Sequence, residues 1–226
     1  MSKTDSKNKA NYHHGDLHGS LTQAASLLIQ ENGVDALSMR KLADVVGVSR
    51  TAPYHHFKDK NALLCAIAEE GFRLQATIIN SVSDDCTKDV SEQFAEFVQS
   101  YIRFASEHPA HYDLMYGGSI WKQKQASESL QKAAYDSFKQ WLNRIESLQQ
   151  QGFLSADETA IRLAQVTWGT LHGLCRLAND GVYINQNDVL EMGLTAARLF
   201  MLNGAAGSQN TSCSGGIDQA SSPSSA

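Results

Sequence analysis

The stretch Ser38 to Lys60, SMRKLADVVGVSRTAPYHHFKDK, decides the fold of this chain. Ser38 has the chemistry of an N-cap, because its hydroxyl accepts a hydrogen bond from an unpaired N–H of the first helical turn. From Met39 the apolar residues Met39, Leu42, Ala43, Val45 and Val46 recur at three- and four-residue spacing, which predicts one buried helical face. Gly47 ends that helix, since glycine takes the left-handed C-terminal conformation without a Cβ penalty. Val48 plugs the corner. Ser49 is expected to cap a second, short helix carrying Arg50, Thr51, Tyr54 and His55. Pro53 falls in its first turn, where a missing N–H is harmless. A buried helix, a glycine turn and a polar-faced helix describe a helix-turn-helix, the motif whose second helix enters the major groove of DNA.

Outward from this motif the chain reads as helix in both directions. Upstream, Asp16 to Asn32 carries Leu17, Leu21, Ala24, Ala25, Leu28 and Ile29 on one stripe and is closed by Gly33, so it is expected to pack across the back of the turn. Downstream, Phe57 is expected to fill the core, with Lys58 and Lys60 placed where the chain would pass a phosphate. Helices follow over Asn61 to about Val82, and over Val90 to Ser106 before His108-Pro109. A short apolar segment from His111 to Tyr116 ends at Gly117-Gly118. Ser127 to Gln151 carries Ala134, Phe138, Trp141, Leu142, Ile145 and Leu148 along its buried side. Asp157 is expected to cap a helix running to Asn179, and Asn187 or Asp188 to open the last one, which ends near Asn203-Gly204. No β-pattern of useful length and no internal repeat occur. The fold expected is all-α. It has a three-helix helix-turn-helix DNA-binding domain over 12–60 and a helical effector-binding and dimerisation domain over 61–204. A polar arm (1–11) precedes them, and a Ser/Gly-rich tail (205–226) follows that has too little apolar surface to fold.

Together, the run Gly33 to Ala43 (GVDALSMRKLA), the turn Gly47-Val48-Ser49, and Tyr54-x-x-Phe57 followed by Lys58-Asp59-Lys60 resemble the TetR family of transcriptional regulators. The resemblance is specific over residues 12 to 70 and looser beyond. It implies that Tyr54 contacts a DNA phosphate, and that an N-terminal arm bearing Lys3, Lys7 and Lys9 adds phosphate or minor-groove contacts; the competing reading of the arm is a frayed terminus. The DNA-binding candidates are Arg40, Ser49, Arg50, Thr51, Tyr54, His55 and Lys58. Thr51 and His55 lie one helical turn apart and are expected to face base edges, and Lys58 is expected to contact a phosphate by charge alone, which positions without specifying sequence.

Charge follows the same division. Residues 1–60 carry eight Lys/Arg against six Asp/Glu and five of the eight histidines, while residues 61–226 carry eleven against eighteen. A net charge of −5 excludes a generally basic nucleic-acid coat, yet a locally basic end on an acidic body suits confined phosphate contact. No apolar run reaches the length of a membrane span, and Met1 to Asn11 is not a signal peptide, so the expectation is a cytoplasmic protein that does not meet the membrane. The cysteines Cys65, Cys86, Cys175 and Cys213 are scattered, without metal spacing, which favours reduced thiols over a redox switch.

The last two helices carry apolar residues almost all round: Ile161, Leu163, Ala164, Val166, Trp168, Leu174 and Leu177 on one, and Val189, Leu190, Met192, Leu194, Ala197, Leu199, Phe200 and Met201 on the other. Such helices need cover on both sides. The resemblance supplies it as a four-helix homodimer interface, which also matches two reading heads to a palindromic operator in double-stranded DNA. The segment Trp168-Gly169-Thr170-Leu171-His172-Gly173 resembles a motif of one branch of the family. Gly169 and Gly173 permit close helix approach there, and Trp168 and His172 line a cavity or sit in the core. The remaining pocket candidates are Tyr101, His111, Tyr112, Met115, Tyr116, Trp121, Tyr135, Phe138 and Trp141, an aromatic set suited to a planar or lipophilic effector or to an ordinary core.

Metal readings fail on spacing or company. His14 and His18 share a helix face without a third ligand, His55 and His56 point to different sides of a helix, and His108 and His111 flank a proline turn, so neither a metal nor a cofactor is expected. An HExxH pair, a phosphate-cradling Gly-rich loop and a nucleophile elbow are absent from the sequence, and no enzyme is expected. The function expected is that of a dimeric, ligand-responsive transcriptional regulator, a repressor released from its operator by a small apolar or aromatic effector. The alternative is a small-molecule-binding protein whose DNA head is vestigial.

Overall fold

Caps and glycines cut the chain into its elements. The computed structural model describes residues 16–83, 88–183 and 185–201, in helices and the turns between them, with one antiparallel backbone bridge between Leu154 and Met201. Helix α1 (Leu17–Asn32) starts where the Asp16 carboxylate accepts from the Gly19 N–H at 2.9 Å. A 3-10 turn (Val34–Ala36) leads to α2 (Met39–Val46). There the Ser38 hydroxyl accepts from the Lys41 N–H at 3.1 Å, a cap that stabilises by about 1 kcal/mol. Gly47, at φ 77° and ψ 29°, closes α2 in the left-handed region. Helix α3 (Ala52–His56) follows. Leu21, Leu28, Leu37, Leu42, Val46 and Phe57 are buried together between these three helices.

Three expectations about this unit need correction. Val45 is 56% exposed, so the apolar face of α2 is narrower than the spacing suggested. Ser49 does not cap α3. Its Oγ lies 3.2 Å from Thr51 Oγ1 and its carbonyl accepts from the Ala52 N–H, which leaves Arg50 and Thr51 in the turn ahead of the helix. Pro53 removes one first-turn N–H that a capping hydroxyl would bind, and the Tyr54 N–H donates to the Thr51 carbonyl instead. Lys60 is also placed otherwise than expected. Its Nζ donates to the Val34 carbonyl at 2.6 Å and ties the following helix to the head.

The body is built from α4 (Lys60–Ser83), α5 (Val90–Glu107), α6 (Pro109–Tyr116), α7 (Gly118–Lys122), α8 (Glu128–Gln150), α9 (Ala160–Asn179) and α10 (Gln186–Phe200). Asp89 and Glu92 form a reciprocal capping box at α5, and Ser127 caps α8 through the Leu130 N–H. Asp157 does not cap α9. Its carboxylate accepts from Ser155 Oγ, and Thr159 takes the N-cap position. The cap of α10 is Asn185, one turn earlier than Asp188, and the helix ends at Phe200 because Met201 leaves it to bridge Leu154.

Helix α4 is the axis of the molecule, packed against α8, α6 and α5, while α10 packs on α5 and α9. Helix α1 of the head touches both α4 and α6. Gly71 allows α4 and α6 to approach: a Cβ there would stand 2.5 Å from Met115 Sδ and 3.3 Å from His111 Cβ. Among the described residues no helix is long and apolar enough to cross a membrane. The arm with Lys3, Lys7 and Lys9, together with His14, Cys86, Asn203-Gly204, Cys213 and the 205–226 tail, lies outside the described residues.

Candidate functional site

The head presents one polar face. Arg40 on α2, Ser49, Arg50 and Thr51 in the turn, Tyr54 and His55 on α3, and Lys58 just after it are all exposed. Tyr54 is 55% exposed although Pro53 and Phe57 on either side of it are buried, so its ring points away from the core. Arg50 Nε stands 3.9 Å from the Asp44 carboxylate, an exposed pair of little strength. His56 turns the other way, its ring 6.2 Å from that of His18, which itself lies 4.7 Å from Phe57. The face therefore combines two guanidinium groups, an ammonium, hydroxyls, a phenol and an imidazole on a rigid three-helix support.

Within the body, α4, α5, α6, α7, α8 and α9 surround a cavity of about 590 Å³. Of the pocket candidates, Tyr101, Met115, Tyr116, Trp121, Phe138, Trp141 and Trp168 line it. The chain has three tryptophans, and all of them are in this wall. Each is held in place. Trp121 Nε1 donates to the Met115 carbonyl at 2.8 Å. Trp141 Nε1 donates to the Ala164 carbonyl and to Thr167 Oγ1, each at 3.2 Å, and its ring stacks on Phe97 at 4.5 Å and 14°. Trp168 stacks on His172 at 5.7 Å and 19°.

Four pocket candidates do not reach the cavity. Tyr135 is 65% exposed, on the outer side of α8. His111 faces α4, 3.9 Å from the Glu70 carboxylate. Tyr112 and His172 lie behind the wall, where Tyr112 Oη and His172 Nδ1 share a 2.8 Å hydrogen bond. Burial pushes the Tyr101 and Tyr112 phenols well up, Tyr116 up to about 12 and the Cys175 thiol up to about 12. Burial, helped by the Arg176 charge, pulls His172 down, and burial likewise lowers His111 against the opposing pull of Glu70. These groups are consequently neutral at pH 7.

Sequence reasoning passed over a buried polar residue of the wall. Gln75 is 3% exposed and lines the cavity. Its Oε1 accepts from Tyr116 Oη at 2.9 Å and from Ser137 Oγ at 3.2 Å, while its Nε2 is buried without a partner among the described residues. The available signal was positional. Phe72, Gln75 and Ile79 stand at i, i+3 and i+7, which places a glutamine on an otherwise apolar stripe.

Residues 21–67 match the family described as bacterial regulatory proteins, tetR family, and residues 94–197 match the tetracyclin repressor-like C-terminal domain. The tetracycline repressor protein class A from transposon 1721 of Escherichia coli is 53% identical over 47 residues, 21% of this chain and 22% of that protein. The matched segments span about a quarter of the length of the curated relatives. The solved structure of a protein of unknown function from Rhodococcus sp. RHA1 is 30% identical with a TM-score of 0.71, covering 86% of this chain and 100% of that one. A TetR-family transcriptional regulator from Pectobacterium atrosepticum shares the fold at a TM-score of 0.63 and 24% identity, over 82% of this chain and 94% of that one.

Proposed function

Because the chain belongs to the tetR family of bacterial regulatory proteins, we propose that it is a dimeric, sequence-specific DNA-binding repressor, released from its operator by a small apolar or aromatic effector. Residues 12–60 form the reading head and residues 61–204 the effector-binding and dimerisation body. As a reader of chromosomal DNA it works in the cytoplasm.

The observation that carries this reading is the exposed face of Arg40, Arg50, Thr51, Tyr54, His55 and Lys58 on helices whose opposite face is buried. The cations and the phenol hold phosphates and fix the register, and Thr51 and His55 meet base edges. Two heads are needed for a palindrome, and the body offers an apolar surface to join them. Helix α9 exposes Ile161, Val166 and Leu177, with open space at Gly169 and Gly173, and α10 exposes Leu199.

Coupling runs through two helices. Helix α4 contributes Phe72 and Gln75 to the cavity and begins in the head, and α6 contributes Met115 and Tyr116 and packs on α1. An effector that binds better to one arrangement of α4 and α6 shifts the population of head spacings, and only its difference in affinity between the two states does so. Selection of bound fragments from genomic DNA by the purified protein tests the proposal. It predicts a short palindrome enriched by the parent and lost on Tyr54→Ala, whereas enrichment that survives this substitution removes the proposed face from the mechanism.

A further inference from the structure

Resting on the reading of the cavity as an effector site, we propose that it takes an uncharged, mainly aromatic ligand that presents one acceptor oxygen, a ketone or amide carbonyl, to Gln75 Nε2. The size is right for a small organic molecule: about 590 Å³ falls in the range of drug-sized sites. Phe72, Phe97, Trp121, Phe138, Trp141 and Trp168 give faces and edges for a planar ring. Among the described residues that line it there is no carboxylate, and Lys122, exposed on α7, is the one formal charge. The Tyr101 and Tyr116 phenols stay protonated through burial, so apart from the exposed Lys122 the described wall offers no charge to a charged ligand.

Gln75 sets the polarity of the single point contact. A glutamine amide has two acceptor lone pairs on oxygen and two donor hydrogens on nitrogen. Both lone pairs are used, by Tyr116 Oη and Ser137 Oγ, while Nε2 is buried at the cavity wall with no partner among the described residues. A buried donor without an acceptor is costly, and the cost is relieved when an acceptor arrives. The two hydroxyls also fix the amide plane, so the unmet N–H groups hold one direction before the ligand binds. A hydrocarbon of the same shape would fill the cavity and leave the donor unmet.

Three probes of one shape separate the possibilities: tetralone, tetralin and a tetralin carboxylate, each titrated calorimetrically into the full chain with tryptophan fluorescence as the local reporter. Tetralone is expected to bind on the order of tenfold more tightly than tetralin, and the carboxylate more weakly than either. Gln75→Met, close in shape but without a donor, is expected to hold tetralin as the parent does and to lose the preference for the ketone. Equal affinities of the parent for tetralone and tetralin, a preference that survives Gln75→Met, or tightest binding of the carboxylate would each overturn the proposal. If Gln75→Met fails to fold, the parent's ketone-to-hydrocarbon ratio decides alone. Should none of the three bind and the tryptophan emission stay unmoved, the effector-site reading falls together with the proposal. Binding of tetralin without a ketone preference defeats the proposal only.

Discussion

Substituting Gly71 by alanine puts two effects of comparable size in opposition. In a helix interior alanine is favoured over glycine by about 1 kcal/mol, so α4 alone would gain. The new Cβ, however, would stand 2.5 Å from Met115 Sδ, 2.9 Å from its Cγ and 3.3 Å from His111 Cβ. Carbon and sulfur atoms sit comfortably only beyond about 3.5 Å, so the Met115 side chain must retreat by about 1 Å. Met115 is buried, and the space open to it is the cavity that it lines. Overpacking of this kind costs about 1–3 kcal/mol. The net expectation is a destabilisation of up to about 2 kcal/mol, read as a fall in melting temperature of up to a few degrees in a chain of this length. In a Met115→Ala background the colliding atoms are gone, so Gly71→Ala should stabilise, by somewhat less than 1 kcal/mol because His111 Cβ still crowds the position. Urea unfolding of the four proteins in this cycle measures both signs. Stabilisation by the same amount in both backgrounds would refute the close approach of α4 and α6.

Other consequences follow from burial and exposure. His172 and His111 are lowered in the folded protein and revert to about 6.5 in the unfolded chain. Below about pH 6.5 the unfolded state therefore binds more protons, and their contribution to stability, complete above that pH, is lost as the pH falls. Thermal unfolding between pH 7.5 and 5.5 should show this decline, and His172→Gln should flatten part of it. Leu199→Asp should leave helicity unchanged, because the residue is 80% exposed, and convert the proposed dimer to monomer in sedimentation velocity. An unchanged dimer mass would move the interface away from α10. Lys58→Ala should weaken binding to every DNA sequence alike and reduce the salt slope by about 1, whereas a loss confined to one sequence would make Lys58 a base reader.

Much of the fold was legible because helix ends are local chemistry. Ser38 and Gly47 could be read directly, since a cap needs one hydroxyl oxygen and a left-handed position needs a residue without Cβ. Asp157 and Asn185 show the limit. Several capping residues stood near each helix start, and the choice among them depended on how the loop packs, with Ser155 engaging Asp157 and leaving Thr159 at the boundary. Spacing also could not set the width of a buried face, so Val45 looked like core and is exposed. The site divides in the same way. Aromatic content marked the cavity region, but Tyr135 and Phe138 lie one turn apart on α8 and only Phe138 faces inward, a difference made by the helices packed against α8. Gln75 went unread because an isolated glutamine in a helix ordinarily faces water, and its partners Tyr116 and Ser137 lie 41 and 62 residues away.

The central claim is that the exposed face of the head reads a DNA sequence as a pair. Titrating the selected palindrome, and a scrambled duplex of the same length and composition, with the parent protein in fluorescence anisotropy at fixed salt tests it most directly. The account predicts two protomers per palindrome and a preference over the scrambled duplex of about a thousandfold or more. It also predicts that Tyr54→Ala, which removes an exposed side chain and should leave stability within about 0.5 kcal/mol, weakens that binding strongly. Equal affinity for both duplexes, or a single protomer bound per palindrome, would contradict it.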